Sequence, residues 1–199
     1  METMYQRYQA LQLDGRWIGL ERSDDEGYFC TPLGAKIIGW EGCDGIHYCF
    51  VPAYGEEVFA VNPDSRADSL VYPLAANFTD FLRLILACNY AGTVEQIINW
   101  DSEQVLSDFM ANEDNKVLPE QQAVLDAIRN KLGLSPMEHP FQYVKGIQAQ
   151  FDPSKLIFSD EYYDITGFEN PREPLDEEAD ESCLQPSEQA AEVTFYWEC

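Results

Sequence analysis

Between residues 35 and 61 apolar and polar positions alternate in short runs, "AKIIGW", "IHYCFV" and "EVFAV", punctuated by Gly, Asp and Pro. A period of two marks a strand with one face buried. Two upstream runs, "RWIGLER" at 16–22 and "GYFCTP" at 27–32, read the same way, so residues 16–62 predict a meander of antiparallel strands. "VPAYGEE" separates two of the runs and carries Gly55, which suits a hairpin joining 46–51 to 57–61. That hairpin is expected at the centre of the sheet, with Phe50 and Phe59 in the core.

The period lengthens at "PLAANF". Asn77 can cap a helix whose apolar face is Phe78, Phe81, Leu82, Ile85 and Leu86. Thr93 opens a second piece running to Trp100. Ser102 opens a third, with Val105, Leu106, Phe109 and Met110 inward. Pro119 at a first helical position and Gly133 at the end bound a fourth, and 140–150 predicts a fifth. A short amphipathic helix at 4–12 precedes the strands, and "KLIFS" and "YYDIT" predict two late ones. The expected class is α+β: an N-terminal antiparallel β-meander packed against C-terminal helices over residues 1–168. Residues 169–192 hold nine acids, three prolines and one Arg, the composition of a solvated acidic arm. The arm spans 169–199 and closes on "EVTFYWEC", where Val193, Phe195 and Trp197 alternate as a short apolar strand.

Charge narrows the function classes. Thirty-six Asp and Glu against 12 Lys and Arg give a net charge of −24. Such a surface repels nucleic-acid phosphate and anionic membrane, and draws in cationic partners; it also serves plain solubility. The N-terminus "METMYQRYQALQLDGRW" has neither the basic nor the apolar region of a secretory signal. The longest apolar run, "FLRLILACNYA", is too short to span a membrane and contains Arg83. Six cysteines without a C-x-x-C pair read as free thiols. The expectation is a cytoplasmic protein with no nucleic-acid or membrane partner.

Candidate chemistry is sparse. Cys43, His47 and Cys49 invite a metal reading, with His47 and Cys49 on one face of a strand. A structural zinc site needs about four ligands at tighter spacings, so the segment is read as a hairpin binding no metal and no cofactor. No nucleophile elbow accompanies His47 or His139, and no phosphate-cradling glycine loop occurs. "SDDEG" and "DSRAD" lack the ligand spacing of a calcium loop and read as turns. Paired carboxylates are inevitable in so acidic a chain. Tyr54, Glu56 and Glu57 at the hairpin tip, together with Asp44, are the predicted partner-binding residues, an exposed ring among carboxylates suiting a basic surface. A Tyr54 ring folded back over the hairpin is the other reading.

The succession "GIHYCFVPAYGEEVFAV" and then "VYPLAANFTDFLRLIL" resembles the core of the SUKH superfamily, which includes a fungal cell-wall synthesis regulator and many bacterial immunity proteins. The residues that carry the resemblance are Gly45, Tyr48, Phe50, Gly55, Val58, Phe59, Ala75, Phe78, Phe81 and Leu82. It covers about residues 40–90 and rests on fold-type positions. The longer leading helices and the Leu-Pro segment usual in the family are missing here. The resemblance implies a non-enzymatic binding fold, with a mixed sheet and flanking helices, that sequesters a protein such as a basic toxin. The alternative is a small-molecule hydrolase using carboxylates in a pocket between sheet and helices. A third class is an intracellular scaffold.

Overall fold

A computed structural model describes residues 2–24, 26–65 and 69–172. The chain divides into a unit of residues 1–168 and a unit of residues 169–199. The predicted strand at 193–197 lies outside the described residues.

Among the described residues of the first unit, four strands follow helix α1 (Met4–Ala10): β1 (Lys36–Trp40), β2 (His47–Phe50), β3 (Val58–Val61) and β4 (Val71–Ala75). They pair in chain order as an antiparallel sheet, so β2 and β3 are the inner strands. The sheet is antiparallel throughout, where the family resemblance implied a mixed one. Six helices follow: α2 (Phe78–Cys88), α3 (Ala91–Gln96), α4 (Glu103–Ala111), α5 (Pro119–Leu132), α6 (Pro140–Ala149) and α7 (Asp160–Thr166). The architecture is α+β, a four-stranded antiparallel sheet preceding most of the helices.

Local chemistry sets these boundaries. Asn77 caps α2, its side chain accepting from Asp80 N at 2.9 Å. Asn89 and Gly133 end α2 and α5 in the left-handed conformation. Tyr48 on β2, Ala60 on β3 and Tyr72 on β4 lie side by side and bury against α2, whose Phe81, Leu82 and Ile85 are fully enclosed. The other sheet face, with Cys49, Phe59, Val61 and Val71, is covered by Cys30, Phe158 and Tyr162. Burial on both faces explains why β3 and β4 carry no exposed positions.

Several expectations are corrected. Residues 16–22 form no strand: Asp14 accepts from Arg16 N, a 3-10 turn spans Gly15–Ile18, and Glu21 makes a single bridge to Trp40. A Cβ at Gly15 would lie 1.9 Å from Leu20 O, so only glycine permits this turn. Residues 27–32 form a tight turn closed by Tyr28 N donating to Thr31 Oγ1 at 2.8 Å. "KLIFS" and "YYDIT" give a 3-10 turn at Pro153–Lys155, an extended segment and then α7, which Gly167 terminates. Strand β4 was unforeseen because Pro73 argues against a strand, yet proline is tolerated on a sheet edge, where β4 lies. Val105, expected inward, is exposed, while Phe50 is partly buried and Phe59 fully.

Candidate functional site

The connection from β1 to β2 must reverse the chain in a few residues. It does so with Gly42, Asp44 and Gly45 all at positive φ. Asp44 is the non-glycine among them, at φ 53, and its carboxylate is exposed. Gly45 also accommodates the Tyr28 ring, since a Cβ there would come within 2.7 Å of it.

His47 ties this turn to the loop opposite. Its Nδ1 lies 2.8 Å from Gly45 O and its Nε2 3.0 Å from Thr31 Oγ1. A carbonyl only accepts, so Nδ1 carries the proton and Nε2 accepts from the Thr31 hydroxyl. Burial pushes the imidazole pKa down, against the Gly45 hydrogen bond, which favours the charged form. The ring is fully buried 4.5 Å from Trp40, and both of its nitrogens are engaged. Cys49 points into the apolar cluster on the same sheet face, while Cys43 is exposed. Among the described residues no three His, Cys, Asp or Glu side chains gather as a metal site.

Beside this turn is a cleft of about 660 Å³, with residues 21–23 and 26–28 on one side, the turn on the other and Trp40 in its wall. Glu21, Glu26 and Asp44 line it, and Tyr28 presents a ring that is 49% exposed. Arg22 also lines it, but its guanidinium donates to Gln9 O at 2.9 Å. Trp40 is 8% exposed, and its Nε1–H has no partner among the described residues. The cleft therefore offers carboxylates and an aromatic face, the complement of a basic side chain. The four ion pairs among the described residues, Asp14–Arg16, Asp80–Arg83, Glu113–Lys116 and Asp126–Arg129, all form between near neighbours in sequence, and none includes Glu21, Glu26 or Asp44.

The predicted site residues do not converge. Asp44 stands at the start of β2, and Tyr54, Glu56 and Glu57 follow its far end. Tyr54 is half-buried: its ring packs 5.0 Å from Phe59 and 5.6 Å from Phe151, and its hydroxyl donates to Asp152 O at 2.7 Å. Lys155 sits 5.8 Å over the same ring. Glu56 is exposed beside a separate groove formed with Tyr5, Lys36, Phe50 and Phe78, and Glu57 is partly buried.

A second constellation escaped the sequence reading. On the helix-covered side of the β1–β2 turn, Glu41 and Glu95 approach each other beneath α3. Glu95 is 2% exposed and accepts from Tyr72 Oη and from Asn62 Nδ2, the latter at 2.8 Å. Burial, then the charges of Glu95 and Asp44, raise the Glu41 pKa to about 7. Glu41 Oε2 and the hydroxyl of the fully buried Tyr48 have no hydrogen-bond partner among the described residues. One signal for Glu95 was present: it shares the inward stripe of α3 with Ala91 and Val94.

Comparison with known protein families, with curated proteins and with solved structures gives no match to this chain.

Proposed function

We propose that the protein is a non-enzymatic binding module that captures a basic protein, with the cleft under Tyr28 receiving a lysine or arginine side chain. The observation that carries this reading is the set of Glu21, Glu26 and Asp44 around one exposed aromatic ring, with the Arg22 guanidinium bonded to Gln9 O. The wider field supports it. Residues 1–168 alone carry 26 Asp and Glu against 11 Lys and Arg, so a cationic partner is steered from a distance. The SUKH resemblance adds a biological setting, an immunity protein that neutralises a basic toxin in the cytoplasm. That part rests on the residue pattern of 40–90 and on the direct succession of hairpin, β4 and α2. No described helix is long and apolar enough to cross a membrane.

The hydrolase alternative, placed in the pocket between sheet and helices, needs two carboxylates open to substrate there. Glu95 is enclosed and its Oε1 is already bonded to Tyr72 and Asn62, which favours the binding reading. The test is capture of the partner from the native cell, followed by association kinetics with Glu26→Lys and Asp44→Lys. Each reversal should slow association severalfold while leaving the fold intact. Association unchanged in the double variant would remove the cleft from the interface.

A further inference from the structure

We propose that the cleft on the opposite side of the β1–β2 turn is a second site, which binds a small primary amine through Glu41. This site is separate from the acidic cleft and does not depend on it. The cavity, about 420 Å³, lies between the Gly15–Ile18 turn, α3, α4 and the start of α5. Glu41 and Tyr90 form its polar end; Trp17, Phe109, Met110 and Leu118 supply apolar wall. Its size admits a small molecule, an alkyl ammonium among them, and not a folded segment.

Three features select an ammonium group. First, Glu41 Oε2 is buried without a partner, and a buried carboxylate oxygen gains most from a charged N–H donor. Second, Glu41 lies beside Glu95 with no ion pair to either carboxylate among the described residues, so a bound cation offsets their repulsion. Arg16 and Lys116 also line the cavity and pair with Asp14 and Glu113 at 2.7 and 2.5 Å. Third, the fully buried Tyr48, which feels the charges of Glu41 and Glu95 but does not line the cavity, gives Glu41 no compensating hydrogen bond, since its hydroxyl has no partner among the described residues. Glycine at position 92 makes room for the Glu41 carboxylate, since a Cβ there would project to within 2.0 Å of its Oε1. A hydrocarbon chain attached to the ammonium then lies along Trp17 and Met110.

The ionisable groups around Glu41 are Cys43, Asp44, Tyr48, Tyr72, Tyr90 and Glu95, with Arg16, Asp114 and Lys116 also lining the cavity. Burial raises the Cys43 thiol and the three tyrosines above their ordinary values, so Glu41 is the group whose charge changes near neutrality.

The experiment is calorimetric and NMR titration of the full chain with n-butylammonium, with 1-butanol as the neutral isostere. Saturable binding of the amine at about pH 8, with none of the alcohol, is expected. Glu41→Gln should weaken it roughly tenfold, the loss of one charge-assisted bond, while Glu56→Gln at the far end of the sheet leaves it unchanged. In the unaltered protein, lowering the pH to about 5 should weaken binding by a similar factor as Glu41 takes up its proton; this readout stands even if a variant misfolds. No saturable amine binding, equal binding of 1-butanol, or equal affinity at both pH values overturns the proposal.

Discussion

Replacing Glu41 by Gln should make the protein more stable at alkaline pH, although the change removes a native side chain. In the unfolded chain the Glu41 carboxyl ionises near its ordinary value of 4.5, and in the folded protein near about 7, chiefly because it is buried and then because Glu95 and Asp44 are close. Between those values the folded state holds the extra proton, so stability falls as pH rises through this window and levels off above it. The full difference corresponds to about 3 kcal/mol, which solvent reaching the partly exposed side chain reduces to about 2 kcal/mol. Gln keeps the shape and cannot ionise. Its stability curve should therefore meet that of the unaltered protein below about pH 4.5 and exceed it by about 2 kcal/mol at pH 8, a rise of roughly 4–8 °C in Tm. Urea melts of both proteins across this range measure the difference directly, since every other acid titrates in both. Coincident curves at alkaline pH, or a less stable Gln variant there, would show that Glu41 has a cationic partner and refute the reasoning.

Elemental analysis of protein purified without a chelating column should find no stoichiometric zinc, because both nitrogens of His47 are committed to Gly45 and Thr31; one zinc per chain lost on Cys49→Ser would overturn this. Gly92→Ala should destabilise the fold by about 1–3 kcal/mol in denaturant melts, despite alanine's better helix propensity, because the new methyl must displace the Glu41 carboxylate. Unchanged stability would show that carboxylate to be freely mobile. Tyr54→Phe should cost no more than about 1 kcal/mol, the loss of one partly exposed hydrogen bond to Asp152 O, and calorimetry can check it.

The parts of the fold that could be read from sequence are those where local and tertiary signals agree. The hairpin of β2 and β3 alternates around a glycine-bearing connection, and α2 and α5 carry their own caps at Asn77 and Gly133, so each announces itself. Residues 16–32 misled because aromatic and β-branched residues there are buried by packing, not by strand pairing; the Asp14–Gly15 turn and the Thr31 hydroxyl decide the backbone. Pro73 concealed β4 because its tolerance depends on lying at a sheet edge, a property of the assembled sheet. The acidic cleft was partly legible through Asp44. Its other wall joins Glu21 and Tyr28, from two runs expected to be strands, with Glu26 from the turn expected between them. Tyr54 shows the same limit, since its neighbour Phe151 arrives from nearly a hundred residues away. Glu41 and Glu95 are unremarkable in an acidic sequence; only the packing of α3 on the sheet makes them a pair.

The central claim, capture of a basic protein steered by the acidic surface, is tested most directly by the association rate constant of the captured partner across a salt series. Between about 50 and 500 mM salt the rate should fall steeply, by an order of magnitude or more, as screening shortens the reach of the carboxylates. The dissociation rate should change far less, and the Glu26→Lys and Asp44→Lys double variant should show a shallower dependence from a lower starting rate. An association rate indifferent to salt, or a double variant that tracks the unaltered protein at every concentration, would contradict the account.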